Sequence, residues 1–153
     1  MRTLLTTYFG QLEYTNDTVF EFADGLPGFE DEHAFVFIRR PNTEPMIFMQ
    51  SLQRSELCFL MLPVYVACPD YRLNLSPEDL TKLGFPVESQ PAIGDDVLCG
   101  ALVTVREGMA PTVNLLAPVV VNLRDRKGIQ AIQADGSYSH QHRLFVEEMA
   151  STC

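Results

Sequence analysis

The sequence predicts an all-β fold: a small antiparallel β-barrel-like single domain with one short helix at about 77–83. Three observations predict it. Apolar residues recur with period two in short segments such as 11–14 and 71–75. Turn residues punctuate the whole chain, with 9 glycines and 10 prolines among 153 residues. Helix-start signals converge only once, at Ser76-Pro77-Glu78-Asp79.

In chain order, Leu12 and Tyr14 alternate with Gln11 and Glu13, and Thr15-Asn16-Asp17 leads into Val19-Phe20-Glu21-Phe22. These two arms are predicted to pair as an N-terminal hairpin. The stretch Ala23-Asp24-Gly25-Leu26-Pro27-Gly28-Phe29-Glu30 then closes a strand with two glycines around a proline. Gly25 and Gly28 can adopt φ > 0, whereas Pro27 fixes its own φ and donates no ladder hydrogen bond. A rigid turn is expected, with Phe29 beside the carboxylates of Glu30, Asp31 and Glu32. Phe29 either folds back into the core or serves as a contact for another protein.

Strands are expected at 35–38, stopped by Arg39-Arg40-Pro41, and at 46–52. Residues 57–62 are apolar on both faces, as in a central strand covered on both sides, and Pro63 and Pro69 bracket its end. Tyr71, Leu73 and Leu75 read as a half-buried strand. The helix follows: Ser76 is an N-cap, Pro77 suits the first helical position, and Glu78 and Asp79 favour the positive end of the dipole. Leu75 and Leu80 have hydrophobic-staple spacing, and Gly84 ends the helix.

Residues 85–96 read as a loop and 97–105 as a strand turned by Gly108-Met109-Ala110-Pro111. Within the apolar run 112–122, Pro118 demands a bulge or an edge. A turn at 124–128 leads into a strand at 129–134, and Asp135-Gly136 turns the chain again. The core is placed at about 8–139, with 140–153 as a tail in which 143–149 fits either a strand or a short helix.

Hydrophobic content of 46 % is enough for an ordinary core, and a chain of 153 residues buries roughly 70 % of its unfolded surface. No apolar run approaches the roughly 20 residues of a membrane span, and Leu4-Leu5 is too short for a signal-peptide core, so a cytoplasmic location is expected. Cys58, Cys68, Cys99 and Cys153 show no C-x-x-C spacing and are expected as free thiols. Net charge is −9. Residues 1–100 carry 6 Lys/Arg against 15 Asp/Glu, and 101–153 carry 5 of each, so all the excess lies in the first two thirds. Such a surface repels polynucleotides, which bind through Lys/Arg contacts to phosphate, and it favours a basic partner.

No reaction centre is legible. His140 and His142, spaced i, i+2 near Asp135, supply two ligands where zinc needs three or four. There is no nucleophile elbow or phosphate-cradling glycine motif, and the adjacent carboxylates Asp95-Asp96 and Glu147-Glu148 would point to opposite faces of a strand. Asn114 and Asn122 sit in an apolar run, where an unpaired amide costs about 1–3 kcal/mol. Each either stitches a loop to the barrel or lines a groove for an incoming peptide. A β-barrel binding a small ligand or metal through Asn114 or the histidine pair stays open, as does direct RNA binding, which charge opposes.

Several blocks resemble the flagellar assembly factor FliW family: Tyr8-Phe9-Gly10, Gly25-Leu26-Pro27-Gly28-Phe29-Glu30, Pro69-Asp70-Tyr71, the run 114–122 from Asn114 through Pro118 to Asn122, and Arg126-Lys127-Gly128. They occur in the family's order over residues 8 to about 139. The chain departs from the family pattern at Met61, Pro63 and Cys68 and in the extension 144–149. The resemblance implies a non-enzymatic regulator without a cofactor and with two protein partners. It would bind flagellin and, when free of it, the RNA-binding translational repressor CsrA, relieving repression of flagellin synthesis. Phe29, Glu30, Asp31, Asp70 and Tyr71 are the expected contact residues, the aromatics as anchors and the carboxylates as steering charges.

Overall fold

The computed structural model describes residues 1–144. They form β1 (Arg2–Thr6), β2 (Gly10–Tyr14), β3 (Phe20–Glu21), β4 (Ala34–Ile38), β5 (Ile47–Ser51), β6 (Cys58–Pro63), α1 (Val64–Ala67), α2 (Pro77–Leu83), β7 (Val97–Thr104), β8 (Thr112–Val113), β9 (Val119–Asn122), β10 (Lys127–Gln130) and β11 (His142–Arg143). Seven strands follow one another as β7-β6-β5-β4-β3-β10-β9, and β9 returns to pair with β7, so the sheet closes into a barrel. Every ladder between these strands is antiparallel except β3–β10, which is parallel at Glu21 and Lys127. Strands β8 and β11 prolong the sheet beyond the ring from the end of β7.

Strand alternation feeds two separate cores. Phe22, Phe35, Ile47, Met49, Met61, Val119 and Val121 fill the lumen. Their neighbours of opposite parity, Leu62, Val97, Cys99, Ala101 and Val120, face outward and are covered by Val64, Tyr71, Leu75, Leu80 and Leu83 of α1, α2 and the segment between them. This is why β6, β7 and β9 are apolar on both faces. Each fully buried Leu, Val or Phe contributes roughly 1.5–3 kcal/mol. Large lumen side chains lie against glycines: a Cβ added at Gly100 would sit 2.6 Å from Met61 Sδ, and one at Gly128 2.6 Å from Phe22 Cε2.

The helix is the predicted one. The Asp79 N–H donates to Ser76 Oγ (3.1 Å), and Gly84 closes it at φ +89° with its N–H on Thr81 O (3.1 Å). Leu75 and Leu80 are both buried, as staple residues should be.

Four expectations are corrected. The N-terminal hairpin is β1–β2, not the pairing of 11–14 with 19–22. Gly10 at φ +63° turns it, and Thr6 Oγ1 accepts from Phe9 N and donates to Gly10 O (both 2.9 Å). The link at 16–18 coils into a 3-10 turn instead, and β3 pairs with β4. The hairpin lies on the barrel wall through Phe9, edge-on to Phe48 at 5.2 Å, with the Arg40 guanidinium 5.5 Å from the Phe9 ring centre.

Residues 71–75 alternate buried and exposed but join no ladder. Side chains take the ladder's place. Tyr138 Oη accepts from Arg72 N, Gln133 Oε1 from Asn74 N and Gln90 Oε1 from Leu75 N (2.8 Å each), and Gln90 Nε2 donates to Leu75 O (3.0 Å). Between Pro63 and Pro69 the chain makes the short helix α1, which the sequence signals did not mark. Finally, Cys68 is disulfide-bonded, against the expectation of thiols throughout, while Cys58 and Cys99 are free. Residues 145–149 of the extension, and Cys153, lie outside the described residues.

Strand pairing reaches beyond 8–139 at both ends, through β1 and β11. The run 112–122 breaks into β8 and β9, with Pro118 buried at the break and its carbonyl accepting from Ala131 N (2.9 Å).

Candidate protein-binding surface

The turn after β3 is tightly determined. His33 O accepts from Phe22 N (2.8 Å) and Phe22 O from Gly25 N (2.9 Å), which pinches the loop at its base. Leu26 and Phe29 face each other as an isolated antiparallel bridge, with Phe29 N donating to Leu26 O (2.7 Å). Pro27 and Gly28 form its tip, and Gly28 at φ +86° supplies the left-handed residue that a type II turn needs. Gly25 is required for a different reason. At φ +64° its position leaves no room for a side chain, because an added Cβ would lie 2.5 Å from Phe29 O and 2.7 Å from Glu30 Cα.

This frame sorts the turn's side chains. Phe29 is half-buried, edge-on to Phe59 at 5.1 Å at the margin of the lumen core. Glu30 and Asp31 are exposed. Glu30 Oε2 accepts from Gly28 N (2.9 Å), and the backbone N–H of Gly28 holds the carboxyl below its usual range. Glu32 turns inward instead: 6 % exposed, it accepts from Ser51 Oγ at 2.6 Å, and Ser51 Oγ in turn accepts from Gln53 N and Arg54 N.

Helix α2 adds charge to the same face. Lys82 Nζ lies 3.3 Å from Asp24 and 3.4 Å from Glu78, and those two carboxylates raise its pKa. A shallow cavity of about 230 Å³ is lined by Asp24, Pro27, Glu30, Asp79 and Lys82. The face therefore displays Asp24, Glu30, Glu78 and Asp79 around Lys82, with Asp31 exposed on the turn and Lys127 beside Asp24 and Lys82.

Asp70 and Tyr71 belong elsewhere. Asp70 is exposed after α1, but Tyr71 is only 3 % exposed in the outer core, away from the lumen core on which Phe29 packs. Its hydroxyl donates to Leu115 O (2.7 Å), and its ring stacks on Tyr138 at 4.4 Å and 29°. Burial pushes the phenol pKa far up. As placed, Tyr71 has no face to offer a partner and instead ties the 68–75 segment to the barrel.

The two asparagines hold turns. Asn114 Oδ1 accepts from Ala117 N (2.9 Å), bending the chain out of β8. Asn122 is buried: its Nδ2 donates to Leu83 O (2.8 Å), joining the end of α2 to the barrel, and its Oδ1 accepts from Arg124 N and Asp125 N (3.0 and 3.2 Å). The sequence reading missed Tyr138, Gln133 and Gln90, which satisfy the 71–75 backbone, and Lys82. The three hydrogen-bonding side chains leave no local pattern because their partners are about 15 to 66 residues away. His140 is exposed and His142 sits in β11, and among the described residues no three His, Cys, Asp or Glu side chains converge. Among the same residues no helix is long and apolar enough to cross a membrane.

A closed barrel with a filled lumen and an acidic turn-and-helix face defines a small β-barrel module whose recognisable features lie on its surface. The sequence matches the FliW protein family over residues 3–144, and the chain belongs to that family. It is 38 % identical over 146 residues to the flagellar assembly factor FliW of Desulfitobacterium hafniense, covering 95 % of this chain and 92 % of that protein. It is 32 % identical over 148 residues to the protein of the same name from Geobacillus kaustophilus, with 96 % and 98 % covered. A crystal structure of the flagellar assembly factor FliW superposes with a TM-score of 0.82 at 31 % identity, covering 96 % of this chain and 99 % of that one.

Proposed function

We propose that this chain is a cytoplasmic flagellar assembly factor that acts without chemistry of its own, by occupying other proteins. It binds flagellin and, when free of flagellin, binds the translational repressor CsrA and lifts repression of flagellin synthesis. The observation that carries this reading is the family match over residues 3–144, with curated relatives of nearly the same length named flagellar assembly factors. The acidic face supports it. Glu30 and Asp31 on the rigid turn, with Asp70 after α1, are the proposed steering charges, and Phe29 is the anchor at the turn's margin. Tyr71 acts through position, by fixing the segment that carries Asp70.

An acidic barrel seated beside a basic RNA-binding site raises the electrostatic cost of RNA binding there. Exposed charges are screened over about 8 Å at physiological ionic strength, so this effect weakens as salt rises. The test is titration of the purified chain against flagellin and against CsrA, with release of a CsrA-bound RNA followed at two salt concentrations. Micromolar or tighter binding to both proteins is expected, with RNA release stronger at low salt. Failure to bind either protein at micromolar concentration overturns the reading.

A further inference from the structure

The dipeptide Asp-Gly occurs at Asp24-Gly25 and again at Asp135-Gly136. An aspartate before glycine is able to react with its own backbone, because glycine has no Cβ to shield its amide nitrogen from the preceding carboxyl. Both aspartates are exposed, so burial of the carboxyl does not separate the two sites. The amides do. The Gly25 N–H donates to Phe22 O (2.9 Å) at the pinched base of the acidic turn, and Phe29 O and Glu30 Cα crowd the same residue. Lys82 Nζ, 3.3 Å from the Asp24 carboxylate, holds that side chain outward. At the second site these restraints are missing among the described residues. The Gly136 N–H makes no hydrogen bond, and no atom beyond its chain neighbours lies within 4 Å of where a Cβ would be. The Ser137 N–H donates to Asp135 Oδ1 (2.9 Å), which folds the carboxyl back along the chain past the Gly136 amide.

We propose that Asp135 is a modification site, converting spontaneously to isoaspartate in the native protein while Asp24 does not, and that the product loosens the clasp on residues 71–75. The Gly136 nitrogen bonds to Asp135 Cγ, and one carboxyl oxygen leaves as water with the amide proton and the acid proton. Water then reopens the cyclic imide. Breaking the N–Cγ bond restores aspartate, whereas breaking the bond to the main-chain carbonyl leaves the chain running through Cβ and Cγ, with no net change in composition. The clasp is sensitive to this change because Asp135-Gly136 lies between its two ends. Gln133 Oε1 accepts from Asn74 N, and Tyr138 Oη accepts from Arg72 N while its ring stacks on Tyr71. Isoaspartate lengthens the main chain between them by one carbon and moves the carboxylate away from the Ser137 N–H. The inference is independent of the partner assignment, and its test uses neither flagellin nor CsrA.

The full chain is incubated with and without urea, and isoaspartate is located by an isoaspartate-specific methyltransferase with a labelled methyl donor, followed by peptide mapping. The backbone N–H of Ser137 and then its side chain hold the Asp135 carboxyl below its usual range, so the buffer is mildly acid, where more of the reactive neutral form is present. In the native protein, label at Asp135 is expected to exceed label at Asp24 by more than about tenfold, because Asp24 must await local opening of its turn. In urea the two sites should react within about threefold of each other, since the fold no longer distinguishes them. Asp135→Glu, which lengthens the side chain, should remove the native signal. In the isomerised fraction, separated by ion exchange, the Arg72 and Asn74 amides should exchange their hydrogens at least about threefold faster than in the parent. No native label at Asp135, comparable native label at the two sites, or a preference for Asp135 that persists undiminished in urea would overturn the assignment of the site. Unchanged exchange at Arg72 and Asn74 would overturn the loosening.

Discussion

Gly128→Ala is predicted to destabilise the barrel although it adds only one methyl group. Gly128 is buried in β10 opposite Val121, and the ring of the fully buried Phe22 lies directly over its Cα, with Cε2 and Cε1 at 2.6 and 2.8 Å from where a Cβ would be. The ring cannot swing aside, because it meets Phe35 edge-on at 5.3 Å inside the lumen. Overpacking of this kind costs about 1–3 kcal/mol, while Ala in place of Gly recovers roughly 0.4–1 kcal/mol by restricting the unfolded chain. The net is about 1–2 kcal/mol of lost stability, or roughly 2–8 °C in Tm for a domain of this size. Urea unfolding with linear extrapolation measures it. The decisive comparison is with Phe22→Leu, which opens space at the same point. Phe22→Leu alone should cost about 1–2 kcal/mol, and the double variant should be less damaged than the sum of the singles by about 1 kcal/mol. A Gly128→Ala protein within about 0.5 kcal/mol of the parent, or strict additivity in the cycle, would refute the close-contact reasoning.

Tyr71→Phe should lower stability by about 1–2 kcal/mol in thermal or urea unfolding, because it strands the buried Leu115 carbonyl, and it should leave partner binding intact in the folded protein. Replacing both Glu30 and Asp31 by their amides should weaken CsrA binding at low salt more than at high salt in calorimetric titration, whereas a salt-independent loss would point to a packing defect. The Glu30 carboxyl, held below its ordinary value of 4.5 by the Gly28 N–H, keeps its hydrogen bond above that value and loses it as pH falls through its own lower midpoint. The Gly28 amide resonance should therefore titrate with a midpoint under 4.5. Burial pushes the Cys58 thiol up to about 11 and the Cys99 thiol up to about 12, so iodoacetamide at pH 8 should leave both unmodified in the native protein and label both in urea.

Features encoded within a few residues were legible from the chain alone. The helix at 77–83 carries its own cap, staple and terminating glycine. The Gly25–Glu30 turn likewise combines one glycine that must clear its neighbours with another that must be left-handed. Apolar runs bounded by turn residues also marked β4 to β7; in β6 and β7 alternate side chains enter separate cores and leave both faces apolar. Tertiary structure decided what depends on distant partners. It set the closure of β9 on β7, the parallel match of β10 with β3, and the burial of Tyr71 under Leu115, 44 residues away. It also turned Glu32 inward onto Ser51 while Glu30 and Asp31 stayed in water. The alternating segment at 71–75 shows the limit most clearly: its alternation of burial was readable, but its hydrogen bonds go to side chains of Gln90, Gln133 and Tyr138. A local pattern reports which groups need burial or a partner; only the closed barrel determines which distant groups meet that need.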